Sequence, residues 1–254
     1  MKVFRTIPEL ETAPGTGLVP TMGALHEGHR ALFRAARAEN DRVVMSLFVN
    51  PAQFDEPADL SAYPRDEEHD FELAEAAGVD AVFAPAFEEL YPAGFGTWVE
   101  PDGAGAEGAA RPGHFRGVAT VCLKLFNLVR PERAYFGQKD AQQIAVVRRL
   151  VSDLDVPVEI RVVPTVRDPD GLALSSRNVH LSRDERDRAL ALPRALQEAV
   201  GSPDPVEAVR ASLNGLEPEY VEVLDLGDAS VLAAAVRVGS TRLIDNVLLE
   251  GELT

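Results

Sequence analysis

Pro20-Thr21-Met22-Gly23-Ala24-Leu25-His26-Glu27-Gly28-His29 is the stretch on which the reading of this chain turns. It joins a strand over Leu18 to Thr21 to a helix running from about Gly28 to Glu39. Open α/β sheets bind their ligands at such strand-to-helix passages. His26 and His29 are three residues apart, so on a first helical turn they share a face. Backbone N–H groups at a helix start favour anions. The same positive end lowers the pKa of a nearby imidazole, which stays neutral near pH 7 and still donates a hydrogen bond. Two such donors beside phosphates would stabilise charge developing in phosphoryl or nucleotidyl transfer. Taken alone, the segment would read as two structural surface histidines. Zinc is a poor fit, because the metalloprotease spacing puts the histidines four apart and no third ligand is apparent.

Outward from this segment the chain alternates strands and helices. Arg42 to Val49 is a continuous apolar run, as expected of a strand covered on both faces. A charged helix from about Arg65 to Ala77 is stopped by Gly78, and the strand Ala81 to Ala84 follows. Val118, Val121, Cys122, Leu125, Leu128 and Val129 recur at helical spacing within Gly117 to Arg130. Arg133 to Phe136 is a short strand, Ile144, Val147 and Val151 mark a further helix, and Val158 to Val166 is a strand. This alternation predicts an α/β, Rossmann-like doubly wound parallel sheet over residues 1–166.

Beyond Arg167 the pattern changes. Asp168-Pro169-Asp170-Gly171 is a turn signal, and Ser182-Arg183-Asp184-Glu185 fits a capping box opening an Ala/Leu-rich helix that Pro193 should kink or divide. After a linker at Gly201 to Pro205 come a short helix and strands over Tyr220 to Leu226, Ala234 to Val238 and Arg242 to Leu249. Residues 167–254 therefore read as a small α+β C-terminal lid domain.

Composition narrows the function classes. With 254 residues, a real core is available without disulfide or metal staples. A net charge of −16 and a pI near 4.7 argue against a protein that grips a nucleic-acid backbone, though a cleft can still present local positive charge to a small anion. Cys122, the single cysteine, lies in an apolar stretch and reads as a buried, inert thiol. Met1 to Arg5 lacks the apolar core of a signal peptide, and no run approaches the roughly 20 apolar residues of a bilayer span. A cytoplasmic protein without a membrane partner is expected. Gly103-Ala104-Gly105-Ala106-Glu107-Gly108 satisfies G-x-G-x-x-G, but Arg111-Pro112-Gly113 interrupts any helix it would open, so a flexible loop is expected there. There is no P-loop motif.

The decisive segment resembles the HIGH signature of the nucleotidyltransferase superfamily that includes class I aminoacyl-tRNA synthetases. In its extended form it resembles the pantothenate synthetase (pantoate–β-alanine ligase) family. Phe48-Val49-Asn50-Pro51-Ala52-Gln53-Phe54, Tyr135-Phe136-Gly137-Gln138-Lys139-Asp140-Ala141-Gln142-Gln143 and Leu172-Ala173-Leu174-Ser175-Ser176-Arg177-Asn178 match that family in order. Arg111 to Val118 and Thr241-Arg242-Leu243-Ile244-Asp245-Asn246 also fit, so the resemblance spans nearly the whole chain.

The resemblance implies a ligase that adenylates pantoate with ATP, assisted by Mg²⁺, and then passes the pantoyl group to β-alanine with release of AMP. It places His26, His29 and Lys139 on the phosphates, with Pro20, Thr21, Met22, Gly23, Gln138 and Val166 around the nucleotide. Asp140 and the Gly137 backbone would hold the ribose, and Leu174, Ser175, Ser176 and Arg177 form the counterpart of the KMSKS loop. Leu174 stands where many members carry Met, at a point the family meets adenine mainly with backbone. Gln53 and Gln143 would read pantoate, since an amide both donates and accepts without adding charge. The Met22 backbone would hold its carboxylate, Phe54 and Phe136 would wall its gem-dimethyl group, and Asn50 would add a polar contact. Arg111 and His114 stand either near β-alanine or pantoate or in a structural role. The sequence assigns no Mg²⁺ ligands. The family implies a homodimer built through the N-terminal domain, with the lid closing over the cleft. The rival readings are a non-catalytic nucleotide-binding protein and a related nucleotidyltransferase for another substrate. A tRNA synthetase is disfavoured by charge and by the lack of an anticodon-binding domain.

Overall fold

Successive side chains of a strand point to opposite faces, and here both faces are apolar. Leu18 and Val44 pack on one side, Val19, Val43 and Met45 on the other, all fully buried. Such strands must sit between two helical layers. The computed structural model describes residues 1–55, 57–102, 105–227 and 229–252, and it has that arrangement.

Six strands form the first sheet: β1 (Lys2–Phe4), β2 (Thr16–Thr21), β3 (Arg42–Leu47), β4 (Ala81–Phe83), β5 (Arg133–Gly137) and β6 (Glu159–Val163). Their order is β1-β4-β3-β2-β5-β6, with every neighbouring pair parallel. Helices α1 (Glu27–Glu39), α2 (Pro57–Ala62), α3 (Glu67–Ala76), α4 (Phe87–Leu90), α6 (His114–Val129) and α7 (Ala141–Asp153) are interleaved with these strands, and α5 (Gly105–Ala110) bonds to the later part of the chain through Glu222 and Arg242. α1 and α3 bring Leu32, Phe33, Ala36 and Ala74 to one face; α6 and α7 bring Cys122, Leu125, Phe126, Ile144 and Val147 to the other. Successive strands run outward from β2 in one direction and from β5 in the other. The sheet therefore reverses between β2 and β5, and a crevice opens beyond their carboxyl ends.

Helices α8 (Arg183–Ala189), α9 (Ala191–Ala199) and α10 (Pro205–Ser212) precede an antiparallel sheet of β7 (Pro218–Asp225), β8 (Ala229–Val238) and β9 (Thr241–Gly251). These elements enclose a separate core around Leu192, Leu196, Leu232 and Val236. The Ser182 capping box is formed, and the helix expected to be kinked or divided by Pro193 is divided at Leu190. Pro193 falls in the first turn of α9, where a missing N–H removes no helical bond. Cys122 is buried as expected, and burial pushes its thiol up to about 12.

Several features depart from the sequence reading, among them the short helices α2 and α4, absent from it, and the end of β6 at Val163 rather than Val166. β1 was not foreseen; it is three residues long and pairs with β4 at the sheet edge. β8 begins at Ala229 rather than Ala234, its first residues Ala229-Ser230-Val231-Leu232-Ala233 being held by pairing with β7 on one side and β9 on the other. Helix α5 replaces part of the expected flexible loop. Its first N–H groups find side-chain acceptors: Ala106 N–H donates to Glu222 and Glu107 N–H to Gln142 Oε1. Gly103 and Ala104, which open the G-x-G-x-x-G string, lie outside the described residues.

Candidate active site

The passage from β2 into α1 is held in a conformation that few residues tolerate. Gly23 has φ +87° and Ala24 φ +52°. Asp70, buried on α3, accepts hydrogen bonds from Ala24 N–H (2.9 Å) and Leu25 N–H (2.7 Å), which offsets the strain. A Cβ at position 23 would stand 2.7 Å from the Asp70 carboxylate, so glycine is required twice over.

That turn delivers His26 as the N-cap of α1 and His29 as its third residue. Gly28 N–H donates to His26 Nδ1 (3.1 Å), and His26 N–H donates to His29 Nδ1 (3.2 Å), a reciprocal capping box made from two imidazoles. The rings lie 4.1 Å apart, centre to centre. With both Nδ1 atoms accepting, each neutral ring carries its proton on Nε2. Burial lowers His26 to about 4 and His29 to about 3, and the Lys139 ammonium adds to both shifts, with His26 adding to that of His29. The neutral state expected from the sequence is present, but burial leads it rather than the helix end alone.

A pH prediction follows from those values. The unfolded imidazole titrates near 6.5, so between that pH and about 3 the unfolded chain binds more protons than the folded one. The stability contributed by neutral His26 and His29 is complete above pH 6.5 and is lost as pH falls through that window. The melting temperature should therefore fall less between pH 6.5 and 4 in His29→Asn than in the unaltered protein. Equal acid slopes would refute the assignment.

The histidines face a cavity of about 270 Å³ at the reversal of the sheet. It gathers Pro20, Thr21, Met22, Asn50, Gln53, Phe54, Phe136, Gly137, Lys139, Asp140, Gln143, Val166, Leu174, Ser175, Ser176 and Arg177 around them. Two residues singled out from the sequence do not line it. Gly23 serves the turn, and Gln138 points instead toward Asn246 on β9, donating to its Oδ1 at 3.2 Å. A second cavity of about 550 Å³ adjoins the first and shares Lys139, Asp140, Ser175 and Arg177 with it.

Around Gln53 the geometry is fixed by its neighbours. Its Nε2 donates to Met22 Sδ (3.1 Å), and its Oε1 accepts from Asn50 Nδ2 (3.1 Å). Asn50, buried, also donates to Gly117 O on α6, so its amide acts on protein groups while lining the cavity. Arg111 and His114 resolve in the same way: Arg111 Nη2 donates to Gln53 O (3.2 Å), and His114 Nδ1–H donates to that same carbonyl (2.7 Å). Burial, with the Arg111 guanidinium beside it, lowers His114 to about 4, so the ring stays neutral in that role.

Lys139 follows β5 in a 3-10 turn, Gln138–Asp140, and no carboxylate lies within ion-pair distance of it among the described residues. Arg177 is paired: it donates to Asp59 on α2 (2.9 Å) and lies over the Tyr63 ring, joining the Ser175–Arg177 turn to the first body. Tyr63, edge-on to Phe54, was missed from the sequence, since a lone tyrosine among charged residues gives no signal. Glu107 was missed because the Gly/Ala-rich string around it reads as a flexible loop. Burial pushes its carboxyl up, but the Arg242 guanidinium (2.7 Å) outweighs this and holds it below the usual range.

A lysine with no carboxylate partner among the described residues and two neutral imidazoles thus stand together at the reversal of a parallel sheet, an arrangement suited to the phosphates of a nucleotide. Comparison with known proteins narrows this. The Pantoate-beta-alanine ligase family matches residues 2–248. The chain is 52% identical to a pantothenate synthetase of Roseiflexus castenholzii, covering 98% of this chain and all of the relative. A crystal structure of pantothenate synthetase from Thermus thermophilus is 45% identical with a TM-score of 0.91, covering 98% of this chain and 99% of that one. The Francisella tularensis pantoate-beta-alanine ligase, solved with beta-gamma ATP and beta-alanine, is 36% identical with a TM-score of 0.85 and full coverage of both chains. The chain belongs to the pantoate–β-alanine ligase family.

Proposed function

We propose that the protein condenses (R)-pantoate with β-alanine to give pantothenate, at the expense of ATP, through a pantoyl-adenylate intermediate. The observation that carries this is one cavity lined together by His26, His29 and Lys139, by the amides of Gln53 and Gln143, and by the rings of Phe54 and Phe136, in a chain matched to the family from residue 2 to residue 248.

In the first step a pantoate carboxylate oxygen attacks the α-phosphorus, the bond to the bridging oxygen breaks, and pyrophosphate leaves. The Nε2–H groups of His26 and His29 and the Lys139 ammonium meet the charge that grows on the phosphate oxygens. Gln53 and Gln143 orient the pantoate hydroxyls and carboxylate, with the Met22 backbone beside them. Phe54 and Phe136 cover the gem-dimethyl group and keep water from the mixed anhydride. In the second step the β-alanine amine attacks the acyl carbon, the acyl–oxygen bond breaks, AMP leaves, and the amine proton passes to solvent. Asp140 and the Gly137 backbone take the ribose; Ser175, Ser176 and Arg177 follow the phosphates once Arg177 leaves Asp59.

Magnesium enters as a companion of ATP. Among the described residues no group of three His, Cys, Asp or Glu side chains converges, and no ligand is assigned to it. Residues 1–166 act as the nucleotide- and pantoate-binding domain and 167–254 as the lid, supported by two separate sheets and cores. The same reading makes the protein a cytoplasmic homodimer.

AMP release measured with ATP, Mg²⁺, pantoate and β-alanine tests the proposal. A signal requiring all three substrates supports it. Pyrophosphate release with pantoate but no AMP on adding β-alanine would assign a different amine acceptor. Silence in both assays, from folded protein that binds ATP, would favour a non-catalytic nucleotide-binding protein.

A further inference from the structure

The Thr241–Asn246 string at the start of β9 has no chemistry attached to it by the reaction above, yet its end is among the most buried polar parts of the molecule. Asp245 is 2% exposed and Asn246 is 1% exposed. Asn246 Nδ2 donates to two successive carbonyls, Gln138 O (2.9 Å) and Lys139 O (3.0 Å), while its Oδ1 accepts from Gln138 Nε2. Its amide is thus wholly engaged with the turn that carries Lys139. The two carbonyls belong to the 3-10 turn Gln138–Asp140 itself, so the amide grips the main chain on either side of the Lys139 nitrogen.

Asn246 is itself held from behind. Its N–H donates to Asp245 Oδ1 (2.8 Å), and Arg167 grips the same carboxylate through Nη1 (2.6 Å) and Nη2 (3.0 Å). Arg167 follows Val166 at the joint between the two sheets and bridges to Ala173, just before the Ser175–Arg177 turn. One chain of bonds therefore runs from the joint, through β9, to the backbone of Lys139.

We propose that Asn246 is a positioning residue for Lys139, setting where its ammonium stands relative to the α-phosphate and making that placement depend on how the C-terminal sheet is seated. This rests on the adenylation chemistry proposed above. Of the two amides proposed for pantoate, Gln53 is held by a different set of contacts, those with Asn50, Arg111 and His114, and Gln143, on α7, receives none of the Asn246 bonds, so the two effects separate. An amide NH₂ can serve two adjacent carbonyls at once, whereas an aspartate of the same shape would set charge against both.

The test is pyrophosphate release in a single turnover with ATP, Mg²⁺ and pantoate, comparing Asn246→Asp in the unaltered and the Lys139→Ala backgrounds. With Lys139 present, the rate should fall on the order of 10²-fold, as misplacement of a reacting group by about 1 Å does, with pantoate half-saturation little changed. With Lys139 absent, the same substitution should cost less than about threefold, because the group it positions is gone. Equal losses in both backgrounds, an unchanged rate in folded Asn246→Asp, or a loss that appears as weaker pantoate binding would each overturn the proposal. If Asn246→Asp does not fold, Asn246→Ser keeps one donor and allows the same comparison. Absence of turnover in the unaltered protein would instead count against the ligase reading, so the two failures are distinguishable.

Discussion

Replacing Lys139 with alanine is expected to slow pantoate-dependent pyrophosphate release by about 10³-fold, the upper range for removing one preorganised electrostatic group from a transition state. The reason lies in the charge inventory of the cavity. His26 and His29 are held neutral by burial, and Arg177 is engaged with Asp59. Lys139 is left as a cation at the end of β5 with no carboxylate paired to it among the described residues. Pantoate half-saturation should change little, since Gln53 is fixed from Asn50, Arg111 and His114. Lys139→Arg should recover part of the rate, with the charge restored but a planar guanidinium in place of a compact ammonium. Rapid-quench measurement of pyrophosphate release checks both variants. An alanine variant within tenfold of the unaltered rate would remove Lys139 from the chemistry while leaving the family assignment intact.

Gly117→Ala is expected to be nearly as damaging, for a steric reason rather than an electrostatic one. Gly117 lies on α6 where the helix touches the Pro51–Gln53 turn. A Cβ there would stand 2.5 Å from the Ala52 carbonyl carbon and 2.6 Å from Gln53 N, closer still to the Ala52 oxygen. Those are backbone atoms and cannot swing aside. The turn must move, and with it the Asn50 bond to Gly117 O and the contact of Gln53 with Met22. Overpacking of this kind costs about 1–3 kcal/mol of stability. A displacement near 1 Å at a substrate-orienting group costs on the order of 10²-fold in catalytic efficiency. The loss should appear mainly as a higher pantoate KM, with ATP binding retained because the histidine pair and Lys139 lie on other elements. Titration of pantoate against the adenylation rate, alongside a melting curve, checks this. Unchanged pantoate dependence in a folded variant would show that α6 does not set the position of Gln53.

Local patterns were enough for most elements. Apolar runs such as Arg42–Leu47 can be satisfied only between two layers, and Ser182 with Glu185 marks a helix start wherever the chain goes. The histidine pair stood out by its spacing at a helix start, and the Lys139 turn only by the resemblance of its string to the ligase family. What stayed hidden depends on partners distant in the chain. β1 exists because Lys2–Phe4 finds Ala81–Phe83, and α5 because Gln142 and Glu222 receive its first N–H groups. The depressed histidine pKa values were expected from the helix end, but burial leads them, and burial is a property of the packed cavity.

The sequence by itself thus determined the class of fold and pointed to a strand-to-helix passage, while the residues proposed to meet phosphate and pantoate follow from its resemblance to the ligase family. Periodicity and short motifs encode these within a few residues of one another. Only the tertiary structure decided that Asp70 holds the turn before His26, that Arg111 and His114 serve the Gln53 carbonyl, and that Asn246 binds the backbone of Lys139. Each joins groups between 45 and 107 residues apart or fixes a side chain to a main-chain carbonyl. Hydrogen bonds to backbone leave no trace in residue type at the receiving end, so they become visible only when the chain is folded.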